Sequence, residues 1–263
     1  MKIKDVISAL ECFAPLPLQE DYDNAGLQVG LTEAEVSGVL LCLDVTEQVV
    51  DEAVSRGCNM IVSHHPLIFR RLSQVSDSNA VQRAIIKAIK HDVTIVSMHT
   101  NLDSATGGVN YMIARHMSID ESTIQLQGAR EVNGVTGGTC VVGVLPEPLS
   151  AEAFIRKVKV EFDAGCVMTN GLLERPISKV AICGGAGSFA LSQAIAAGAD
   201  AFITGEMHYH EYFDHEQQIQ ICVIGHYESE QYTIDLLAEI INSRCPGVIT
   251  YITNINTNPI KYY

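Results

Sequence analysis

The sequence contains no tryptophan, and aromatic residues make up only 6% of its 263 residues. Because hydrophobic residues still reach 47%, we expect a largely aliphatic core of the kind that parallel sheets and their covering helices form. Basic residues are also scarce, since 17 Lys and Arg against 31 Asp and Glu give a net charge of −14. This balance argues against a duplex nucleic-acid binder and against binding to an anionic membrane surface.

Other signals are missing as well. No apolar run approaches the roughly 20 residues that a membrane span requires, and the first residues lack the uninterrupted apolar stretch of a signal peptide. The eight cysteines include no CxxC pair, which predicts buried, reduced thiols. There is no G-x-S-x-G nucleophile elbow and no Walker A lysine. We therefore expect a cytoplasmic protein without a serine-hydrolase site or a P-loop.

The chain does contain an alternation of short β-branched runs with helical patterns, which is typical of parallel sheets. In the first part, this pattern predicts strands at 37–45, 59–63 and 93–98 and helices at 46–57, 79–92 and 107–117. After a stretch rich in glycine, proline and β-forming residues, it predicts strands at 179–183, 200–204, 219–224 and 248–252 and helices at 188–197, 206–217 and 229–243.

The later part of the chain repeats the earlier part. With an offset of 141 residues, Cys42 aligns with Cys183; with an offset of 127 residues, His99 aligns with His226 and Asp103 with Glu230. We therefore predict an α/β protein of two similar domains with largely parallel sheets flanked by helices, and the family resemblance described below implies that these domains are intertwined. The predicted domains are 1–125, which carries SHHP and HTNLD, and 126–263, which carries GGAGS, Gly205-Glu206 and GHYESE.

Polar side chains gather at four predicted strand ends, the places where ligands bind in open parallel sheets. These groups are Ser63-His64-His65, His99 with Asp103, Glu206 with His208 and His210, and His226 with Glu228 and Glu230. Neutral imidazoles and carboxylates together suit Zn²⁺, Mn²⁺ or Fe²⁺. Pro66 restricts His65 to an extended backbone, which lets the adjacent imidazoles diverge toward two ions. The pattern predicts two divalent metal ions held by His64, His65, Asp103, His226 and Glu230.

Simpler interpretations exist for several neighbouring residues. His208 and His210 fit a solvent-facing helix, and Glu206 at the start of that helix fits a favourable interaction with its dipole. GGAGS fits either a phosphate-binding turn or close backbone packing. The acids of residues 20–30 either approach the site or are solvated, and Asp44 fits a helix cap.

The motifs DYDNAGLQVG, SHHPLIF, HTNLDSATGGVN, VAICGGAGS, GADAFITGE and GHYESE resemble the dinuclear-metal family of GTP cyclohydrolase I type 2 homologues, the NIF-three-like family. The resemblance runs from about residue 1 to residue 255. It implies a metal pair in a cleft closed by the last part of the chain, the same five metal ligands, and a ring-shaped homohexamer. This chain departs from many members at Tyr22, where they carry tryptophan, and at Tyr209-His210, where they carry a histidine pair.

Two functions follow as hypotheses. The first is a metal-dependent hydrolase of a small-molecule substrate, GTP or another nucleotide, in which a metal-activated water attacks and His99 or Glu206 carries the proton. For GTP, which the family name implies, water adds at C8, the imidazole ring opens and formate leaves. The alternative is a non-catalytic metal-binding ring that acts as a scaffold, a metal handler or a regulatory interaction protein. Open coordination positions, which water must fill when five protein ligands serve two ions, favour the enzyme.

Overall fold

The computed structural model describes residues 1–263. The chain forms two compact units, each assembled from two separate segments. Unit 1 comprises Met1–Ala105 and Thr233–Pro259, and unit 2 comprises Thr106–Tyr232 and Ile260–Tyr263. Both units combine sheets with helices, so the predicted α/β class is confirmed. The domains proposed from the motifs, 1–125 and 126–263, stay a prediction.

Nine α-helices and thirteen strands make up the chain. The helices are α1 (Ile3–Phe13), α2 (Glu47–Ser55), α3 (Ala80–Lys90), α4 (Thr100–Ser104), α5 (Val109–His116), α6 (Ala151–Glu161), α7 (Leu191–Ala196), α8 (His226–Glu230) and α9 (Thr233–Arg244). The strands are β1 (Gly26–Val29), β2 (Val39–Cys42), β3 (Met60–Ser63), β4 (Thr94–Ser97), β5 (Gln125–Gln127), β6 (Arg130–Val132), β7 (Val135–Gly137), β8 (Cys140–Leu149), β9 (Met168–Thr169), β10 (Ile177–Cys183), β11 (Ala201–Thr204), β12 (Gln220–Val223) and β13 (Thr250–Ile252). None of these helices combines the length and the apolar character needed to span a membrane.

Unit 1 is built on a five-stranded sheet with the strand order β1-β4-β3-β2-β13. Strands β4, β3, β2 and β13 are parallel, and only β1 at the edge is antiparallel. Cys42, Ser63 and Ser97 lie side by side in register, so the carboxyl ends of β2, β3 and β4 stop at one level. Helices α2 and α3 bury aliphatic residues against this sheet, and their core cluster contains no fully buried aromatic ring.

Unit 2 contains a six-stranded sheet with the order β5-β8-β10-β11-β12-β9 and a small β6–β7 hairpin. Its three parallel strands, β10, β11 and β12, place Cys183, Thr204 and Val223 in register, while the outer strands are antiparallel. This unit also buries Phe154, Phe162 and Phe202 completely, within a core that is otherwise mostly aliphatic. The matching register of three parallel strands in each unit supports the internal duplication, which stays a prediction.

Two helices expected from the sequence differ in the structure. The prediction of a helix at 206–217 is wrong, because this segment contains only a short 3₁₀ turn, Tyr209–Tyr212. Asp214 and Gln217 have left-handed backbones (φ 64° and 56°), which a continuous α-helix cannot contain. The single helix at 229–243 is two helices, α8 and α9.

The cysteines form no disulfide, and six of the eight are buried. Burial raises the pKa of the Cys140 thiol to about 12, although a backbone hydrogen bond opposes the shift. A thiol with so high a pKa is neither a nucleophile nor a metal ligand at neutral pH. Cys12 and Cys166 are exposed, contrary to the expectation that all the thiols are buried.

The central strand of unit 1 provides a test of the core. Ile61 on β3 is fully buried, so Ile61→Ala should lower the free energy of unfolding by about 2–5 kcal/mol through lost burial and the cavity that remains. The same substitution at Ile89, which lies on α3 and is 57% exposed, should change it by no more than about 0.5 kcal/mol. Urea unfolding monitored by circular dichroism measures both, and equal losses would contradict this description of the core.

Candidate metal centre

In unit 1, the candidate site is formed by residues that follow the aligned strand ends. Asp44, His65 and His99 each lie two residues beyond the ends of β2, β3 and β4, and His64 directly follows β3. The hydroxyl groups of the serines that end β3 and β4 both donate to the carbonyl oxygen of His65, at 2.8 and 3.2 Å. Sheet register and these two bonds together hold the SHHP turn in place.

Each histidine of this group uses its Nδ1 in a hydrogen bond to an oxygen acceptor. The pairs are His64 with the backbone oxygen of Met98 at 2.8 Å, His65 with Oδ1 of Asp44 at 2.8 Å, and His99 with Oδ1 of Asp23 at 2.7 Å. A neutral imidazole has one N–H, so these bonds place the proton on Nδ1 and the lone pair on Nε2. This is the arrangement by which proteins prepare histidine for a metal.

The three histidines also lie close together. Their candidate ligand atoms are all within 4.8 Å of one another, so His64, His65 and His99 form a group that could hold a metal ion. Asp103, on the short helix α4, places its Oδ1 3.6 Å from Nε2 of His64. His64 is fully buried and its Nδ1 already binds the backbone oxygen of Met98, so the Nε2 of the neutral ring and the Oδ1 of Asp103 together offer two ligand atoms for one cation.

The two supporting carboxylates have lowered pKa values. Burial by itself raises the pKa of Asp23, but the hydrogen bonds and charge interaction with His99 and the hydrogen bond from Thr100 outweigh it and bring the pKa to about 2. Burial likewise opposes the shift at Asp44, where His65 and the hydroxyl of Thr257 lower the pKa. Both carboxylates are therefore ionised at neutral pH and act as acceptors for the imidazole N–H groups.

In unit 2, the corresponding group contains Glu206, His226 and Glu230. Glu206 lies two residues beyond the end of β11, and its Oε1 is 2.9 Å from Nδ1 of His226. His226 and Glu230 are four residues apart on α8, so they share one helix face, and Nε2 lies 3.1 Å from Oε2 of the buried Glu230. One imidazole thus has a carboxylate at each nitrogen. If Nδ1 carries the proton, Nε2 again faces a carboxylate, as in the His64 pair.

The GGAGS motif is explained by close backbone packing. Gly185 has φ +57°, and a Cβ atom there would overlap Oε1 of Glu230. Its carbonyl oxygen accepts hydrogen bonds from the amides of Gly205 and Glu206, at 3.0 and 2.9 Å. The motif therefore makes room for Glu230 beside His226, and nothing in its geometry requires a phosphate.

Several residues singled out in the sequence lie elsewhere. His208 and His210 are exposed, and no α-helix contains them. The interpretation of Asp44 as a helix cap is wrong, because Thr46 caps α2 by accepting from the amide of Val49 at 3.3 Å. One acid of the 20–30 segment, Asp23, does reach the site. Asp23 and Asp44 are therefore the functional side chains that the motif search missed.

A signal for one of them was present in the sequence. Asp44 stands at the same distance from its strand end as His65 and His99 do from theirs, so an in-register parallel sheet places all three together. Asp23 gives no such signal, because it is 76 residues from its partner His99 and lies outside the parallel strands.

The fold and these groups define an α/β protein with His/carboxylate clusters that could bind metal ions. The chain belongs to the Duf34/NIF3 (NGG1p interacting factor 3) family, whose model matches residues 1–259, so the predicted resemblance is confirmed. A relative from Clostridium acetobutylicum named "GTP cyclohydrolase 1 type 2 homolog" is 32% identical, with 100% of this chain and 99% of the relative covered.

Solved structures agree with this assignment. The crystal structure of a Staphylococcus aureus hypothetical protein matches with a TM-score of 0.89 at 29% identity, covering 100% of this chain and 99% of that chain. The structure of a Bacillus cereus protein related to NIF3 matches with a TM-score of 0.86 at 25% identity and the same coverage. The fold is therefore shared along the whole chain.

Gly185 offers a test of the unit 2 group. Gly185→Ala should displace Glu230 and reduce the bound metal per chain, because the new Cβ cannot share space with the carboxylate. Gly198→Ala is the matched control, since Gly198 also has positive φ (+69°) but has no atom within 4 Å of the added Cβ. In both variants the left-handed backbone should lower the free energy of unfolding by about 1–2 kcal/mol. Only Gly185→Ala should lose bound metal. Elemental analysis after dialysis measures this, and equal metal contents would contradict the assigned role.

Asp44 offers a test of the unit 1 group. Asp44→Ala removes the acceptor of His65 Nδ1 and should weaken Zn²⁺ binding by about 10–100-fold, because the imidazole loses its preferred tautomer and orientation. Asp51→Ala, which removes an exposed carboxylate paired with Lys87, should leave Zn²⁺ affinity unchanged. Competition against a fluorescent chelator measures both constants. Equal Zn²⁺ affinities in the two variants would show that Asp44 does not support metal binding.

Proposed function

We propose that this protein is a metal-dependent hydrolase that acts on a nucleotide or a related phosphorylated small molecule. The proposed ligands of its two divalent ions per subunit are His64, His65, Asp103, His226 and Glu230. One observation carries the proposal: in each unit, an imidazole whose Nδ1 binds an oxygen atom places its Nε2 near a carboxylate oxygen, at 3.6 Å in one unit and 3.1 Å in the other. In each pair, the imidazole nitrogen and the carboxylate oxygen are better suited to binding one shared cation than to contacting each other directly.

The donor set suits Zn²⁺, Mn²⁺ or Fe²⁺, and no thiolate is among the donors. When bound, such ions would polarise a phosphoryl or carbonyl oxygen and lower the pKa of a water molecule. The chain's own residues supply the remaining chemistry. Asp23 holds the proton of His99 on Nδ1, so the Nε2 of His99 can accept a proton from an attacking water. Glu206, with its side chain 55% exposed, can exchange protons with solvent.

The substrate class rests on chemistry and on the names of relatives. A chain of net charge −14 attracts a phosphorylated ligand only where bound cations reverse the local charge. The name of the Clostridium acetobutylicum relative refers to GTP cyclohydrolase, which suggests GTP as the first substrate to test. In that reaction one water adds at C8 of the base and opens the imidazole ring to a formamide, and a second water hydrolyses the formamide and releases formate. We further propose that the protein works in the cytoplasm as a homohexameric ring.

The test compares metal content and formate release from GTP in the same preparations. The wild-type protein loaded with Zn²⁺, Mn²⁺ or Fe²⁺ should release formate, and His64→Ala and His226→Ala should each lower the rate by at least about 100-fold with loss of bound metal. His91→Ala in unit 1 and His215→Ala in unit 2 are matched controls outside both groups and should keep full rate and metal.

Each outcome has a distinct meaning. Metal lost in the two site variants without any formate release by the wild type would support the metal centre and overturn the GTP assignment. In that case, a panel of phosphoesters separates a different hydrolase from a non-catalytic metal-binding ring. Full metal content in both site variants would overturn the metal ligands themselves.

A further inference from the structure

Unit 2 contains a cavity of about 610 Å³ beside His226. This volume lies within the range of about 300–1,000 Å³ that is typical of small-molecule sites. Its walls are mainly apolar and include Met168, Met207, Val223 and the ring of Tyr262. The cavity therefore extends from a proposed metal ligand along mainly apolar walls, which suit a poorly hydrated group.

The charges around this cavity favour binding of the base of a nucleotide over binding of its phosphates. No lysine or arginine is among the lining residues, whereas the carboxylate of Glu206 is. A phosphate group placed here would have no cationic side chain to bind and would meet a carboxylate. A ring with N–H donors is favoured instead, because Glu206 has a second oxygen besides the one that binds His226.

Two glycines lie next to the aromatic side chain of Tyr262, where a larger residue would collide with it. A Cβ atom on Gly165 would lie 2.7 Å from Cδ2 of Tyr262, and one on Gly225 would lie 3.2 Å from its hydroxyl oxygen. Two glycines thus leave room for this ring, which is itself 49% exposed. A half-exposed aromatic ring in the wall of a cavity is a candidate stacking surface for a planar ligand.

We infer that the cavity binds an uncharged, planar nitrogen heterocycle such as a purine base, stacked on Tyr262 and hydrogen-bonded to Glu206, with the phosphates of the substrate outside it. The inference rests on the proposed function for the identity of the substrate as a nucleotide. It makes Tyr262 a specificity-determining residue and assigns recognition of the base to the segment that follows Pro259.

The test measures binding of guanosine, which has no phosphate, to metal-loaded protein by isothermal titration calorimetry. Tyr262→Ala should weaken guanosine binding about 10-fold or more, because base–aromatic stacking is lost. Tyr262→Phe should stay within about twofold of the wild type, since the ring remains. The neighbouring Tyr263 does not line the cavity, so Tyr263→Ala is the matched control and should bind like the wild type.

A second variant should displace the ring of Tyr262 while leaving that residue in the sequence. Gly165→Ala should displace Tyr262 through the 2.7 Å contact and weaken guanosine binding in the same direction as Tyr262→Ala. Inorganic triphosphate should bind equally to the wild type and to all these variants, and their metal content should be equal. Weakened triphosphate binding in Tyr262→Ala would place the phosphates in the cavity and overturn the assigned orientation.

Failure of this inference and failure of the proposed function are separable. Tyr262-dependent guanosine binding without formate release from GTP would support the base site and overturn the GTP cyclohydrolase assignment. Unchanged guanosine affinity in both Tyr262→Ala and Gly165→Ala, at full metal content, would overturn the base site whatever the hydrolytic activity. Absence of guanosine binding to the wild-type protein would overturn it as well.

Discussion

The hydrogen bond at Nδ1 of each site histidine is the interaction on which the candidate metal centre depends. A backbone carbonyl holds His64, and carboxylates hold His65, His99 and His226. Each bond fixes how the ring is turned before any ligand arrives, and in unit 1 it also favours the proton on Nδ1 of the neutral ring. The acceptors themselves are supplied by strand ends and adjoining loops, so the imidazole geometry is a consequence of sheet register.

The same constraint operates in unit 2 through a different scaffold. There, the helix α8 presents an imidazole and a carboxylate four residues apart, and the absence of a side chain at Gly185 provides the space that they occupy. Both units therefore combine a fixed imidazole with a nearby buried or half-buried carboxylate. Concentrating carboxylates around neutral donors is costly without a cation, so these groups favour a bound metal ion.

Much of this could be predicted from the sequence because parallel strands impose strong periodicity. Alternation of strands and helices predicts that His65 and His99 share an edge, and the repeat predicts that Asp103 and Glu230 correspond. Asp23 could not be singled out among the acids of residues 20–30, because its contact with His99 joins a distant loop to a strand end and leaves no periodic trace. The helix expected at 206–217 fails for a related reason: its composition suits a helix, but left-handed residues and the use of Glu206 by His226 depend on tertiary structure.

The pairing of β13 with β2 has a consequence for the way the chain acquires its structure during synthesis. Residues 250–252 complete the sheet edge next to residues 39–41, so unit 1 joins segments that are far apart in the chain. Until then, β2 exposes an unpaired edge on an otherwise assembled parallel sheet, which is a template for pairing with other chains. The long interval between the two strands makes ribosome-bound and early released chains the species most prone to misassociate.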